Sequence, residues 1–366
     1  MRRTFPSSPV LALGLLVATA CSSATPANPT VAATKPTDAP KPAAAAATLP
    51  ATAAPTAVAA AAPTAAATSA AGAASQKKKL LGIVTFSGTD VTSNQVVTEI
   101  QKAATAGGWE STVVDANGNV DQGNSAIQNL VQRKVDGLVV TVFASTSLAS
   151  GLSAAKQAAI PVVSHGGGLA DGVGVAFDAN GGAETAERVA KDLGGKGSAL
   201  AFTYRPGLPC QERESSFDEV APKYPDLKVT KQEVAVPGFV ESAANFTTAW
   251  LTSHPSGSGN LAVWGCWDGP AEGAISALKQ GQRTDVKVYG HNADADALAA
   301  IKSGSMVASM WYDSAAAGSQ EFKALQEVVA GGASWKPVVR QVPQLLVDAT
   351  NIDQFMKDHP EATKPG

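Results

Sequence analysis

The chain has 366 residues, of which 45% are apolar, 5% aromatic and 16% charged, and its formal charge is −3. That length can bury the cores of two domains. The slight acidity offers nothing that would attract nucleic acid.

The first residues carry Arg2 and Arg3, then the apolar segment VLALGLLVATA, then Cys21. This is the tripartite pattern of a secretory signal, and it is too short to serve as a membrane span. Residues 1–20 therefore read as a signal peptide, whose loss takes the two arginines away and moves the formal charge from −3 to −5. The small residues of VATAC before the cysteine resemble the lipobox of bacterial lipoproteins, although Ala18 stands where leucine is usual. That resemblance implies acylation of Cys21 and an extracytoplasmic protein anchored to the cell membrane. Residues 21–76 are almost wholly Ala, Pro, Thr and Ser. Recurrent proline interrupts helix there, and too few bulky apolar groups are present to offset the ordering entropy, so the segment reads as a disordered, semi-extended tether.

Beyond residue 77 the pattern alternates. Apolar runs of strand length are each followed by an amphipathic stretch of helix length: LLGIVTF then SNQVVTEIQKAATAG, STVVDA then QGNSAIQNLVQRK, DGLVVTV then LASGLSAAKQAA, IPVVSH, and VGVAFD then GAETAERVAKDLG. A second series runs SALAFTY then QERESSFDEVAPKY, KVTKQEVA then ESAANFTTAWLTSH, LAVWGCW then GPAEGAISALKQG, VKVYGHN then ADALAAIKSG, and MVASMWY then SAAAGSQEFKALQEVVAG. Continuous apolar strands separated by helices mark parallel sheets buried on both faces. Two such series predict an α/β protein of two doubly wound lobes.

Ligands of open parallel sheets sit beyond the carboxyl ends of the strands. The residues ending the first series of strands include Phe86, Ser87, Thr89 and Asp90, then Phe143, then Ser164 and His165. In the second series they are Tyr204 with Gln211 and Arg213 beyond, Trp267 and Asp268, His291 and Asn292, and Trp311 and Tyr312. Aromatic faces suit the C–H face of a sugar or nucleoside, and Asp, Asn, His and Arg suit its hydroxyls, so these positions predict a pocket for a small polar ligand. For Asp268, capping of the following helix is an equal reading.

At this point the chain resembles the sugar-type periplasmic binding proteins of ABC transporters, the ribose- and galactose-binding kind. The resemblance covers about residues 79–342. It is carried by GWESTVVDANGNVDQGNSAIQNLVQRKVDGLVV, AAIPVV, AVWGCWDGPAEGAISALKQ and VKVYGHNADADALAAIKSGSMVAS. It implies two lobes joined by crossing strands near Asp178, Tyr312 and Arg340. The N-terminal lobe is then 77–178 plus 313–340, and the C-terminal lobe 179–312 plus 341–366. It further implies a ligand caught between the lobes, delivery to an ABC permease in the membrane, a monomer, no enzymatic activity and no cofactor. The ligand residues match unevenly. Ser164-His165 stands where the family often has Asp-Arg, Trp267 replaces an asparagine before the retained Asp268, His291 and Asn292 replace Phe-Asp, and Gln211 takes the place of a ligand-touching arginine. Thr92 and Ser93 stand at the family's stacking aromatics, which leaves stacking to Phe86, Phe143, Trp267 or Trp311. A monosaccharide or related compound is implied, but not ribose or galactose in particular.

Cys210 and Cys266 both follow strands of the second series, on the ligand side. Export places them in an oxidising setting, where a bridge would tie the PGLPC loop to the wall carrying Trp267; two buried free thiols are the alternative. Other chemistries lack their residues. FSGTDVTSN is no dinucleotide fingerprint, GGKGS is no phosphate loop, and no Gly-x-Ser-x-Gly elbow is present. The four histidines show no metal spacing, so none is assigned a metal, and His165 and His291 read as hydrogen-bonding groups. The alternative function is a sensor lipoprotein that binds a similar ligand and partners a membrane signalling protein.

Overall fold

The computed structural model describes residues 77–364. The signal segment, Cys21 and the tether lie outside the described residues. Among the described residues no helix is long and apolar enough to cross a membrane.

The first sheet takes its strands from β1 (Leu80–Thr85), β2 (Glu110–Asp115), β3 (Gly137–Thr141), β4 (Val162–His165), β5 (Val175–Asp178) and the late β11 (Val338–Gln341), in the order β11-β5-β4-β3-β1-β2. Every pairing in it is parallel. Helices α1 (Val91–Ala106), α2 (Val120–Gln132), α3 (Ala149–Gln157) and α9 (Ser314–Gly331) belong with this sheet. The second sheet uses β6 (Lys196–Thr203), β7 (Asp226–Glu233), β8 (Leu261–Gly265), β9 (Val286–Asn292), β10 (Ala308–Tyr312) and β12 (Gln344–Asp348), in the order β12-β10-β9-β8-β6-β7. Only β12 runs antiparallel, against β10. Its helices are α4 (Ala183–Asp192), α5 (Leu208–Val220), α6 (Phe239–Ser253), α7 (Asp268–Gln280), α8 (Ala295–Ser303) and α10 (Ile352–Asp358). The doubly wound α/β architecture of two lobes is thus as the alternating sequence pattern requires.

Burial explains the pattern. β3 and β8 are buried at every residue, as strands covered by helices on both faces must be, so they carry GLVVT and LAVWG with no polar alternation. Helix caps follow the same local chemistry. Asp90 accepts from the Ser93 amide at the head of α1, Asn119 from Gln122 at α2, and Asp313 from Ala316 at α9. β11 and β12 were not foreseen as strands. They are short and mostly exposed or half-buried, and follow prolines 337 and 343, so neither shows the buried run that betrays the others. The chain passes between the sheets three times: after β5, after β10 and between β11 and β12.

Candidate ligand-binding site

Because every strand before a crossing points its carboxyl end toward the other sheet's, the two sets of strand ends face one another across a cleft. The cleft is closed in this structure. The amide of Ala144 donates to the carbonyl of Pro206 at 3.1 Å, that of Leu208 to Val142 at 3.0 Å, and the Tyr204 hydroxyl to the Gly118 carbonyl at 2.6 Å. Between the lobes lies a cavity with about 50 Å³ of space for water centres. At roughly 10–15 Å³ per water centre, that is room for about four waters.

The cavity lining draws on nearly every strand end. Phe86 follows β1, Asp90 and Ser93 open α1, and His165 ends β4; from the other lobe come Tyr204 after β6, Arg213 in α5, Trp267 after β8, Asn292 ending β9 and Tyr312 ending β10. Nine of the expected residues are therefore brought together. Seven are not. Ser87 pairs with Thr89 at 2.9 Å away from the cavity, Phe143 is packed in the core, and the Gln211 amide donates to the Arg205 carbonyl. His291 is buried with Nε2 at 2.7 Å from the Thr185 hydroxyl and Nδ1 at 3.0 Å from the Gly265 carbonyl oxygen. Trp311 packs on Phe355 and His359 at the far face of its sheet, with ring centroids 5.2 and 4.3 Å away. Asp268 is fully buried, accepting from the Ser309 hydroxyl at 2.7 Å and from the Asp294 amide at 3.0 Å. It is the first residue of α7, and the backbone group it satisfies is at the head of α8. A Cβ at Gly290 would come within 2.1 Å of its Oδ1, so this carboxylate needs glycine opposite. Adjacent strand residues face opposite ways, which is why Asn292 and Tyr312 reach the cavity while His291 and Trp311 do not.

Residues not foreseen include Thr92, Val142 and Asn180. The Asn180 amide nitrogen donates to the Gly166 carbonyl at 3.1 Å, while its Oδ1 has no protein partner. Two more buried polar atoms of the lining are unpartnered: Arg213 Nε and Trp267 Nε1. Two lining residues other than glycine also hold positive backbone angles, Val142 at φ 68° and Asn292 at φ 100°. A β-branched residue in that region is strained, and such strain gathers at ligand sites.

The charges of the lining are one acid and one base. Burial pushes the Asp90 carboxyl up, against the pull of the Ser93 amide and Arg213. Burial lowers Arg213 to about 10, which leaves it a cation at neutral pH. Its Nη1 donates to the Cys266 carbonyl at 2.6 Å and its Nη2 to that of Ala179 at 3.0 Å. Cys266 is joined to Cys210 by a disulfide, with the Cα atoms 5.2 Å apart, and Cys210 itself lines the cavity. The bridge expected from the sequence is present, and it fastens α5 to the end of β8 directly under the guanidinium.

Hydrogen-bonding side chains and one aromatic wall line the cavity. Two such lobes closed on a cavity are the architecture of the bilobal periplasmic binding proteins. The periplasmic binding protein domain family matches residues 83–333, and the chain belongs to that family. It is similar to the xylitol-binding protein of Mycolicibacterium smegmatis, 30% identical over 205 residues, which is 54% of this chain and 56% of that protein. It is also similar to the ribose import binding protein RbsB of Bacillus subtilis, 27% identical over 63% of this chain and 75% of the relative. In fold it matches an ABC transporter solute-binding protein from Agrobacterium vitis with bound allitol at a TM-score of 0.71 and 24% identity, over 77% of this chain and 99% of the other.

Proposed function

We propose that the chain is an extracytoplasmic solute-binding lipoprotein that captures a small, uncharged polyhydroxyl compound, a sugar or alditol, and delivers it to an ABC importer. The observation that carries this reading is the mixed set of donors and acceptors among the polar side chains that line the interlobe cavity: Asp90, Ser93, His165, Asn180, Arg213 and Asn292. Hydroxyl groups both give and accept hydrogen bonds, so adjacent hydroxyls answer such a mixed set. One acid balanced by one base favours an uncharged ligand. The kinds of ligand named for the relatives, xylitol, ribose and allitol, are of the same chemistry.

The aromatic wall narrows the shape. A sugar ring held between two aromatic faces needs them about 7–8 Å apart and near parallel, twice the carbon contact distance. Here Phe86 and Tyr204 are 5.7 Å apart at 49°, Phe86 and Trp267 6.5 Å at 88°, and Tyr204 and Trp267 6.0 Å at 69°. The three rings pack edgewise on one another and present a single wall. Acyclic or compact ligands suit this wall better than a sandwiched hexopyranose.

Closure follows from contacts to both lobes. Asp90, Ser93 and His165 stand on one lobe and Tyr204, Arg213, Trp267 and Asn292 on the other, so a ligand gains its full set of contacts only when closed and shifts the population that way. The lobes on this reading are 77–178 with 313–340 and 179–312 with 341–366, hinged at the three crossings. A thermal-shift and calorimetric series with xylitol, ribitol, erythritol, D-ribose, D-allose and myo-inositol tests it. A ligand at a hundred times its dissociation constant adds about 2.7 kcal/mol of stability, and the protein should sediment as a monomer throughout. No shift with any of the six would sink the polyhydroxyl reading.

Acylated Cys21 would hold the protein at the membrane beside its permease. Cys21→Ser is expected to take up no labelled palmitate and to appear in the medium. Cells carrying only that form should import the bound compound poorly. Palmitate incorporation unchanged by the substitution would refute the anchor.

A further inference from the structure

Behind the cavity wall stands a chain of three polar side chains in line. Glu321, on α9, is fully buried, and its Oε1 lies 2.5 Å from Nδ1 of His165. Nε2 of the same imidazole lies 3.1 Å from the Tyr312 hydroxyl, and Tyr312 lines the cavity. Glu321 itself does not reach the cavity. It sits on the buried stripe of α9 formed by Ala317, Gly318, Phe322, Ala324, Leu325 and Val328, where an apolar residue is the ordinary choice. Its other oxygen has no protein partner. A buried acid kept on an apolar stripe, at the expense of an unpartnered oxygen, has its one hydrogen bond to account for it.

A carboxylate has no proton to give, so the hydrogen in the Glu321–His165 contact belongs to Nδ1. A neutral imidazole then leaves Nε2 bare, and a bare nitrogen must be met by a donor. That donor is the Tyr312 hydroxyl, whose proton is then committed to His165, which leaves only oxygen lone pairs for the cavity that Tyr312 lines. We propose that Glu321 is a positioning residue for ligand binding: through the His165 tautomer it makes Tyr312 an acceptor, so that this wall selects a ligand hydroxyl, which can donate, over an ether or carbonyl oxygen, which cannot. The inference rests on the polyhydroxyl reading above and adds a direction to one of its hydrogen bonds.

The relay has a pH signature. An imidazolium donates from both nitrogens, so Nε2–H turns to the Tyr312 oxygen and the phenol proton swings into the cavity. The wall then offers a donor where it had offered an acceptor. The titratable and charged groups facing this imidazole are Glu321 from α9, Tyr312 from β10, Asp90 from the head of α1 and Arg213 from α5. The roughly tenfold preference for a ligand hydroxyl over an ether oxygen at this wall, about the worth of one neutral hydrogen bond, is expected to be lost in that state.

The test uses the purified full-length chain with nitrogen-labelled histidine. Long-range proton–nitrogen spectra report which ring nitrogen carries hydrogen, and His165→Gln supplies the assignment. The expected result is neutral His165 with hydrogen on Nδ1 and a bare Nε2, in the chain with and without xylitol. Glu321→Gln, of the same shape, should mix the tautomers, narrow the preference for xylitol over its methyl ethers and leave a folded protein. Tyr312→Phe, which keeps the ring, should abolish that preference. Hydrogen on Nε2 of the neutral ring, or an unchanged preference in Glu321→Gln, would overturn the inference and leave the function untouched. Failure of all six compounds to bind would overturn the functional reading instead, and the inference with it.

Discussion

Reducing the Cys210–Cys266 bridge, or replacing both residues by alanine, will lower the unfolding midpoint by about 7 °C and weaken ligand binding at least tenfold. The stability part follows from the chain-entropy account: a sequence separation of 56 closes a loop worth about 4 kcal/mol. Unfolding entropy near 2.1 cal/mol/K per residue, over residues 77–364, turns that into about 7 °C. The binding part follows from what the bridge holds. Arg213 lies one helical turn beyond Cys210, and its guanidinium donates to the carbonyl of Cys266, so donor and acceptor are fixed on the two halves of one disulfide. Freed of the bridge, α5 can move its start away from β8 and carry the Arg213 side chain away from the cavity wall. Calorimetric titration beside a melting curve separates the two effects. A lower midpoint with unchanged affinity would reduce the bridge to a staple, and no change in either would refute both parts.

The fold was legible because its strands are buried on both faces. GLVVT and LAVWG have no alternative reading once helices flank them, whereas the order of the strands within each sheet comes only from the structure. β11 and β12 were not legible, since VVRQ and QLLVD stand largely exposed and mix polar with apolar residues. In the site, strand ends told which loops meet, but not which of two neighbours faces inward. That choice depends on the phase of the strand's alternation at its last residue, which places Tyr312 in the cavity and Trp311 against Phe355. Asn180 follows a strand and could have been found by the same rule. Glu321 could be found only from its helix, as an acid at the spacing of the apolar stripe. Its partner His165 lies 156 positions away, and only the fold brings them together.

Trp267 and Asp268 are neighbours in sequence, and substitutions at the two are expected to fail in different ways. Trp267 lines the cavity, packs edgewise on Phe86 of the first lobe and on Tyr204 and Phe239 of the second, and leaves Nε1 unpartnered. Truncation to alanine removes a ligand wall and a contact made only when the lobes close, so affinity should drop by a hundredfold or more, as at a buried aromatic hot spot. It also costs about 3–5 kcal/mol of packing. Trp267→Phe separates the two, keeping most of the packing while losing the Nε1 donor, and should still weaken binding about tenfold. Asp268→Ala opens no ligand contact. It strips the Ser309 hydroxyl and the Asp294 amide of their acceptor, each a buried group worth about 1–3 kcal/mol when left unpaired, so its damage falls on stability. Asp268→Asn should be far milder, because burial and the neighbouring Asp294 already push this carboxyl well up and disfavour its charge. Affinity of folded Asp268→Asn within about threefold of the parent, with Trp267→Phe clearly weaker, is the pattern that places the ligand against Trp267 and not against Asp268. The reverse pattern would move the site to the head of α7 and remove the aromatic wall from it.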